Sequence, residues 1–593
     1  MKNKKWLSIL LAAILVVSII PMTAFASSST VVYADGKILA EGENSVGEGT
    51  ATLDKTANTL TLEGIAITKN LDIQSNEEFT VIVKGENSIK VGASASSIIT
   101  NAPKLNIKIQ EGAVLTLGAE DGNNIYQYGG SLNISGPGKL VAVEENIYPS
   151  LYSADDIVFG ENLVAEITAE DTNAVYSEGA DIVVDSSDVT IKAGIGGLFA
   201  QSYDEQNDTD YQSSVTVRNS TLNITSYDNA IYSGLGGIEI DNSIAEIKSD
   251  VYSMYTFGDI VIKGDKTDIL ANDYDGISAD NILKIEGGNI KLTSVSGGLF
   301  GYNGVEITGG TMTVSAEDGS AILANKGLLS ITGENTHVNA ISNAQDTATV
   351  RNVRDGGIYL DADVKAENKA GGKPFEGVKK DKTTAITLGE GYEAFGLKVY
   401  TEEGGNNAKS YFVLADSENN EPVTGAASVC SHKWAEPVWE WTQDNTGAKA
   451  IFTCTKDSAH TITEQAVVTS ATTDPTCAKE GQTVYTATVT FDGQEYTAQK
   501  MITIDATGEH DYVDGKCSVC GAADPDYKPV KPEDPNSPED EKDPEEDVNE
   551  NDGNTDAPKT GDEMNYFIWL SMIVLAAGAL IATIAFVRTR KIQ

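Results

Sequence analysis

Pairs of apolar residues two positions apart recur along most of the chain, about every 25 residues. This alternation of apolar and polar positions has the period of a β-strand with one face inward and one face outward. No helical period occurs between the two ends of the chain. The first pairs of the successive units are Leu105/Ile107, Leu132/Ile134, Ile157/Phe159, Ile182/Val184, Val215/Val217, Ile238/Ile240, Ile260/Ile262, Leu283/Ile285, Val305/Ile307 and Leu329/Ile331.

A second alternating pair follows most of the first pairs, as at Val189/Ile191. After it comes a short core made of a small, an apolar, an aromatic and a small residue. This core reads NIYQ, SLYS, AVYS, GLFA, AIYS, SMYT and GLFG along the chain, with GISA and AILA as variants that lack the ring. Each unit therefore predicts three short strands, separated by turns that are marked by Gly, Asn and Asp.

A unit of three short strands cannot bury its own apolar face, whereas stacked units bury it against one another. We therefore predict an all-β protein dominated by a right-handed parallel β-helix, a solenoid of about ten rungs. A set of β-sandwich domains is the alternative, but sandwiches do not explain why the same strand order returns in every unit.

The aromatic residue of the core points outward, because the apolar residue before it points inward. The rings are expected to form one external column of Tyr126, Tyr152, Tyr176, Phe199, Tyr232, Tyr255 and Phe300. The turns before these strands carry Asp121, Asp171, Asp228, Asp250, Asp273 and Asp318. Rings stack on sugar faces, and carboxylates bind sugar hydroxyls or Ca²⁺, so this surface is a candidate glycan-binding groove. The alternative is stacking that only stabilises the strands, with acids that only favour turns.

The formal charge of the chain is −46. Phosphate groups would be repelled by such a charge, so we predict neither a nucleic acid nor an anionic membrane surface as a partner. The acidity is compatible with calcium, with cationic surfaces or with solubility outside the cell.

Both ends of the chain carry export signals. Residues 1–26 combine a basic start, an apolar run and the sequence AFA, which predicts a secretory signal peptide cut after Ala26, with a retained anchor as the alternative. Residues 566–587 are long and apolar enough to span a bilayer, and a basic tail follows them. The acidic, proline-rich residues 524–556 predict an extended stalk, because such a composition cannot bury a core.

The pentapeptide Ala557, Pro558, Lys559, Thr560 and Gly561 precedes the apolar span. Motif, span and basic tail together resemble the sorting signal of Gram-positive wall-anchored proteins, whose pattern is Leu-Pro-any-Thr-Gly. A sortase cuts these proteins between Thr and Gly and joins the Thr to peptidoglycan. The resemblance implies a sortase substrate that is secreted to the wall of a Gram-positive bacterium and contacts the membrane only before sorting. Ala557 departs from the family's Leu.

All five cysteines and three of the four histidines lie between residues 429 and 523. Two sets of four suit tetrahedral Zn²⁺: Cys430, His432, Cys454 and His460, and Cys477, His510, Cys517 and Cys520. A disulfide or redox role for Cys517 and Cys520 is the alternative in an exported protein, although an odd number of cysteines cannot form a complete set of disulfides. The ending HDYVDGKCSVCG resembles small Cys/His repeats of clostridial surface proteins, and we interpret this region as a structural spacer.

Residues 271–333, which begin ANDYDGISADNILKIEGG, look like a clostridial β-helix family with carbohydrate-binding activity. The studied member of that family binds an acidic plant polysaccharide with Ca²⁺. The earlier segment GTATLDKTANTLTLEGIAIT is similar to the first segment of many large gut-Firmicute surface proteins that contain this domain. The resemblance implies a polysaccharide partner, and Asn272, Asp273 and Asp275 match its recurring acidic turn and are the Ca²⁺ candidates.

Parallel β-helices also include polysaccharide lyases and hydrolases. A lyase needs a Lys or Arg base near Ca²⁺, and a hydrolase needs a tight cluster of Asp residues. Arg218 is the single arginine of the predicted rungs and His337 stands alone, so we predict no catalysis. The expected function is polysaccharide binding by a wall-anchored protein. An adhesin for a host or bacterial protein is the alternative, and a lyase or hydrolase is less favoured.

These observations predict seven parts. They are a signal peptide at 1–26, an N-terminal β cap with the first rungs at 27–100, the parallel β-helix at 101–345, a C-terminal β cap at 346–428, the Cys/His modules at 429–523, the stalk at 524–556 and the sorting signal at 557–593.

Overall fold

The computed structural model describes residues 30–92, 95–145, 147–201, 203–204, 209–210, 212–403, 407–415 and 419–530. The predicted signal peptide, sorting signal and most of the stalk lie outside these residues. No helix long and apolar enough to cross a membrane occurs in the described part of the chain. The chain divides into two compact units, one of Met1–Thr472 with Thr483–Ile502 and one of Thr473–Gln482 with Thr503–Gln593.

Parallel strands stack into a solenoid of about 13 turns, which confirms the predicted all-β fold and its β-helix. Each turn contributes one strand to each of three sheets. Sheet 1 contains Thr59–Glu63, Phe79–Lys84, Lys104–Ile109, Ser131–Ser135, Ile157–Gly160, Ile182–Asp185, Ser214–Arg218, Gly237–Asp241, Ile260–Lys263 and Ile386–Leu388. Sheet 2 contains Ala66–Ile67, Glu86–Val91, Val114–Ala119, Lys139–Glu144, Val164–Ala169, Asp188–Ala193, Thr221–Ser226, Ile244–Ser249 and Asp268–Asp273.

Four long strands run through sheet 1 and sheet 2 in the later turns, and their register shifts at the corner between the two sheets. They are Ile282–Ser294, Gly304–Ala316, Leu329–Ser342 and Ile358–Asn368. Sheet 3 contains the third strand of each turn: Leu71–Gln74, Ile98–Thr100, Ile125–Gln127, Leu151–Ser153, Val175–Ser177, Leu198–Ala200, Ile231–Ser233, Tyr252–Thr256, Gly276–Ala279, Leu299–Gly301, Ile322–Ala324, Val350–Asn352 and Phe375–Lys379.

Equivalent positions of successive turns pair directly with one another. In sheet 1, Ile134 pairs with Phe159, and Phe159 pairs with Val184. All three side chains are fully buried, as are the inward residues of sheet 3 such as Leu151 and Val175. The apolar face that one turn cannot cover is therefore covered by the turns above and below it.

The hydroxyl residue that ends several sheet 3 cores has a structural role inside the solenoid. Its side chain points inward and donates a hydrogen bond to the backbone of the preceding turn. The Thr256 hydroxyl donates to the Gly234 carbonyl oxygen at 2.7 Å and accepts from the Ser233 hydroxyl at 2.9 Å. Ser153 donates to the carbonyl oxygen of Gly130 at 2.7 Å. These bonds satisfy buried backbone groups at a corner, where the sheets cannot satisfy them.

Antiparallel strands close both ends of the solenoid and cover the edges that a parallel stack would otherwise expose. The N-terminal strands are Val31–Ala34, Lys37–Ile38, Gly42–Val46 and Gly49–Asp54. The C-terminal strands are Glu393–Ala394, Leu397–Glu402, Ala408–Leu414 and Ala426–Cys430. A short antiparallel hairpin of Tyr203–Asp204 and Thr209–Asp210 extends from one turn.

The solenoid is longer than the sequence pattern predicts. Parallel pairing begins between Thr59–Glu63 and Phe79–Lys84, and it continues to Ile386–Leu388, beyond the expected end at residue 345. The last turns carry Arg351 and Glu376 at the outward position of sheet 3. The repeated aromatic core is absent there, so the sequence pattern stops before the fold does.

A five-stranded sheet follows the solenoid, with strands Val438–Trp441, Ala448–Thr453, Thr461–Thr473, Gly481–Phe491 and Gln494–Ile504. Its small core is formed by Ala450, Phe452 and Val489. The second unit contains a hairpin of Tyr512–Val513 and Lys516–Cys517.

Candidate functional site

Six of the seven predicted rings form one continuous stack on the outer face of sheet 3, which we call the ring column. Successive members are Tyr126, Tyr152, Tyr176, Phe199, Tyr232 and Tyr255, with centroid distances of 5.1, 5.8, 5.5, 4.4 and 5.8 Å. Phe300 has the same register, but Ser278 of the GISA core lies between it and Tyr255. The expected column is therefore interrupted before its last ring.

The inner rings of the column cover one another's faces. Phe199 is within 10° of parallel to both Tyr176 and Tyr232, and Tyr152 is equally parallel to Tyr176. A sugar that stacks on a ring needs a free ring face. The inner rings therefore offer edges and hydroxyl groups to the solvent. The end rings are also stacked on, Tyr126 by Tyr128 and Tyr255 by Tyr252, so the more exposed rings lie on the flanks of the column.

Two hydroxyl groups of the column are held by carboxylates. The Tyr152 hydroxyl donates to Glu178, and the Tyr255 hydroxyl donates to Asp280 Oδ2 at 3.1 Å. Burial raises the pKa of both tyrosines, and the adjacent carboxylates raise these pKa values further. The hydroxyl groups consequently stay protonated, and the outer edge of the column carries negative charge.

Further rings flank the column, and they are not among the residues predicted from the sequence. Tyr128 stacks on Tyr126 at 5.5 Å, and Phe257 meets Tyr255 edge-on at 5.5 Å. Both flanking rings follow a column residue by two positions, so the strand period already indicated that they point outward. Tyr148 lies on the turn before its strand and is 45% exposed, as Tyr128 is.

A groove of about 740 Å³ lies where the ring column begins. Tyr126, Tyr148, Tyr152 and Tyr176 line it together with Asp121 and several small and amide residues of the adjoining turns. The position before Tyr126 in the column is occupied by Ile99, which also lines the groove. Because the Ile99 side chain is smaller than that of a tyrosine, the outer surface of sheet 3 has a recess at this position. We call this recess the ring groove.

The predicted aspartates differ in their surroundings. Asp121 lines the ring groove and is half-buried. Asp171, Asp250 and Asp318 are exposed, and Asp228 is half-buried. Asp273 is buried, because it ends the sheet 2 strand on the inward side. The set is therefore not one uniform row of exposed carboxylates.

The three predicted Ca²⁺ ligands do not share one environment. Asn272 and Asp273 are consecutive strand residues, and Asn272 is exposed while Asp273 is buried. The carboxylate of Asp273 accepts from the Ser253 hydroxyl and from the Gly276 backbone N–H at 2.9 Å. Burial raises the pKa of Asp273 to about 6 despite these bonds. Calcium binding at Asn272, Asp273 and Asp275 stays a prediction, and the strand directs Asn272 and Asp273 to opposite sides.

The first Cys/His set converges beside the end of the solenoid. Potential ligand atoms of Cys430, His432 and His460 all lie within 4.8 Å of one another. His460 Nδ1 is 3.5 Å from Cys430 Sγ and 3.0 Å from His432 Nε2. Ligand atoms of a tetrahedral zinc site are separated by about 3.3–3.8 Å, given Zn–S and Zn–N distances of about 2.3 and 2.0 Å. Cys454, the fourth expected ligand, neighbours Cys430 but does not belong to this group of three.

Both histidines of this set direct their second ring nitrogen at an acid. His432 Nδ1 is 3.2 Å from Glu393 Oε1. His460 Nε2 is 2.8 Å from the Ser428 hydroxyl and 3.7 Å from Asp457 Oδ2. Ligating histidines in metal sites are commonly oriented by such partners. Burial lowers the pKa of His432 and of His460, which favours the neutral rings that bind a metal.

The second Cys/His set converges within the second unit. Cys477, His510, Cys517 and Cys520 offer ligand atoms that lie within 4.8 Å of one another. The Cys477 and Cys517 sulfur atoms are 3.6 Å apart, and Cys520 Sγ is 3.3 Å from His510 Nδ1. These separations fit a tetrahedral Zn²⁺ site with three sulfur ligands and one nitrogen ligand. Seven of the eight residues selected from the sequence are therefore found in two clusters, and the eighth, Cys454, neighbours Cys430.

Residues 248–412 match the protein family described as "Carbohydrate-binding domain-containing protein". No curated protein and no solved structure matches the chain. The family match and the solenoid fit a carbohydrate-binding β-helix. The matched residues include the last rings of the column, such as Tyr255, and the turn around Asp273, whereas the ring groove precedes them.

The stacked geometry predicts a stability role for the centre of the ring column. Phe199→Ala removes two ring contacts, each of which contributes about 0.5–1.5 kcal/mol, so we expect the free energy of unfolding to fall by about 1–3 kcal/mol. Chemical denaturation followed by circular dichroism measures this loss. The control is Tyr227→Ala, since Tyr227 is 67% exposed. Equal effects of the two changes would contradict a stabilising stack.

Proposed function

We propose that the solenoid binds a polysaccharide in the ring groove. The observation that carries this proposal is the groove itself, in which exposed and half-buried tyrosines surround a carboxylate on the outside of a repetitive fold. The match of the later turns to a carbohydrate-binding family supports the same class of ligand.

The groove combines the two kinds of contact that sugars need. Tyr148 is 45% exposed and stands on a turn, so its ring is accessible to the apolar face of a sugar. Asp121 lies on the neighbouring turn and offers oxygen acceptors for sugar hydroxyls. Because similar turns recur about every 4.8 Å along a parallel stack, a linear polymer finds further contacts beyond the groove.

Binding should depend on Tyr148 and much less on the inner rings. We expect Tyr148→Ala to weaken binding about fivefold, since one ring contact contributes about 1 kcal/mol. A glycan array identifies the ligand, and calorimetry with that glycan measures the affinity. Phe199→Ala should lower stability but leave affinity nearly unchanged, because Phe199 does not line the groove.

The matched control is Tyr359→Ala, which removes a half-buried tyrosine from the outer face of sheet 1. Unchanged affinity in Tyr148→Ala, with a normal fold, would contradict binding in the ring groove. If no glycan of the array binds and a pull-down recovers a protein, the alternative function as an adhesin for a host or bacterial protein is favoured.

We propose that this groove binds without cleaving. Hydrolysis of a glycosidic bond needs two carboxylates that flank it. Among the described residues that line the ring groove, Asp121 is the one carboxylate, and no lysine, arginine or histidine accompanies it. Release of oligosaccharides from the bound polymer by the purified protein would overturn this part of the proposal.

The two Cys/His clusters are proposed to hold structural Zn²⁺. Their ligand types and spacings fit tetrahedral coordination, and Glu393, Ser428 and Asp457 would orient the histidines of the first cluster. The described cysteines are all free thiols, in keeping with metal ligands. Bound zinc would stabilise a region whose own apolar core is small.

We expect two zinc ions per chain, which elemental analysis of the purified protein measures. Cys430→Ser and Cys520→Ser should each remove one ion, because each change deletes a ligand from a different cluster. The control is Ser518→Ala, which alters an exposed residue between two ligands of the second cluster. Full zinc content in both cysteine variants, or none in the unaltered protein, would contradict the proposal.

We further propose that a sortase anchors the chain to peptidoglycan through the pentapeptide at residues 557–561, so that the acidic stalk holds the solenoid away from the wall. Thr560→Ala should leave the protein in the membrane fraction, because the sortase recognises Thr560, breaks the Thr560–Gly561 bond and transfers the Thr560 acyl group to an amine of peptidoglycan. Cell fractionation after muramidase treatment measures this, with Thr555→Ala in the stalk as control. Unchanged release by muramidase would contradict covalent anchoring.

A further inference from the structure

Residues 454–460 connect two neighbouring antiparallel strands, Ala448–Thr453 and Thr461–Thr473. This connection begins with Cys454 and ends with His460, which are both residues of the first Cys/His set. The Cys454 backbone N–H donates to the His460 carbonyl oxygen at 2.9 Å, so the connection is a closed turn. Where this turn lies therefore decides where His460 lies.

The middle of the turn, residues 455–458, contacts the end of the solenoid, and we call these residues the latch. Lys456 Nζ donates to Asp363 Oδ1 at 3.1 Å and to the Ser431 hydroxyl at 2.6 Å. Asp363 stands on the long strand Ile358–Asn368 and points outward, because the next residue of that strand is buried. An ion pair between residues 93 positions apart thus fixes the latch to the solenoid.

A second contact of the latch lies beside the first cluster. The Ser428 hydroxyl donates to Asp457 Oδ2 at 3.2 Å and is 2.8 Å from His460 Nε2. Cys430, whose Sγ is 3.5 Å from His460 Nδ1, lies on the same strand as Ser428, Ala426–Cys430. The latch and the candidate ligands are therefore positioned by one strand of the solenoid cap.

The latch is held by polar contacts and is not packed into an apolar core. A cavity of about 560 Å³ is lined by the latch and by the outer face of sheet 2, including His337 and Asn339. No described residue of the latch belongs to either apolar core. The Lys456 side chain is 25% exposed, and ion pairs near the surface contribute little to stability by themselves. A metal bound beside the latch would supply further free energy for docking.

We propose that docking of the latch on the solenoid and zinc binding at the first cluster are coupled, with Lys456 and Asp363 as positioning residues. This inference rests on the proposed zinc site and adds its dependence on a solenoid strand. An undocked latch must be ordered before His460 can meet Cys430, and that ordering costs conformational entropy. By linkage, bound zinc favours the docked latch by the same factor by which docking favours zinc.

Zinc affinities of the two clusters, measured separately in the whole secreted protein, test the coupling. Cys520→Ser restricts zinc to the first cluster, and Cys430→Ser restricts it to the second. Competition with a chromophoric chelator measures each Kd. In the Cys520→Ser protein, Lys456→Met should weaken zinc binding about tenfold, which is within the usual range of coupling between sites. In the Cys430→Ser protein the same change should have no effect, because the latch supplies no residue to the second cluster.

Matched variants separate the contact from the charge. Lys449→Met is the control, since it removes an exposed lysine from the strand Ala448–Thr453. Lys456→Arg keeps the cation and should retain most of the affinity. Asp363→Asn should weaken zinc binding as Lys456→Met does, and the double variant should lose no more, because both changes remove one contact. Equal affinities in Lys456→Met and Lys449→Met would overturn the coupling and leave the zinc site intact.

Hydrogen exchange followed by mass spectrometry measures the coupling in the opposite direction. Backbone amides of residues 454–460 should exchange more slowly with zinc than with chelator, while those of Ile358–Asn368 should not change. Lys456→Met should reduce this protection. Equal exchange of residues 454–460 with and without bound zinc would overturn the inference. Absence of zinc from the Cys520→Ser protein would overturn the first zinc site and this inference with it.

Discussion

In-register stacking of inward aliphatic side chains is the interaction on which the solenoid depends. Ile134, Phe159 and Val184 follow one another in sheet 1, and each is covered by its neighbours because no single turn encloses a core. The same register aligns every outward position as well. Columns of rings, acids or amides on the surface are therefore a consequence of the way in which the interior is buried.

The alignment of outward residues in successive turns limits the part that the aromatic rings can take in ligand binding. Stacking brings Tyr176, Phe199 and Tyr232 nearly parallel, and this arrangement covers the faces that a sugar would use. Under the proposed function, stability and binding are divided along one column: the central rings support the strands, and the ring groove at the start of the column has the accessible ring of Tyr148.

Closure of the solenoid and the first Cys/His cluster are connected. The strand Ala426–Cys430 pairs antiparallel with the last long solenoid strand, and it supplies Cys430 as a candidate ligand and Ser428 as a partner of His460. A metal at this cluster would therefore join the solenoid cap to the segment around His460. Glu393, from the cap itself, faces the other candidate histidine.

Period-two alternation and the repeated aromatic core determined the strand order, the all-β fold and the outward column, because these depend on local spacing. Cys and His identity indicated seven residues that the structure brings into two clusters. The sequence pattern ended at residue 345, since Arg351 and Glu376 replace the rings while the apolar positions inside still stack. Only the tertiary structure decided which ring faces stay free, that Asp273 is buried while Asn272 is exposed, and that Ile99 opens a recess beside Tyr126. These features depend on the neighbour in the next turn, about 25 residues away, and the size of that neighbour is not encoded in the local alternation.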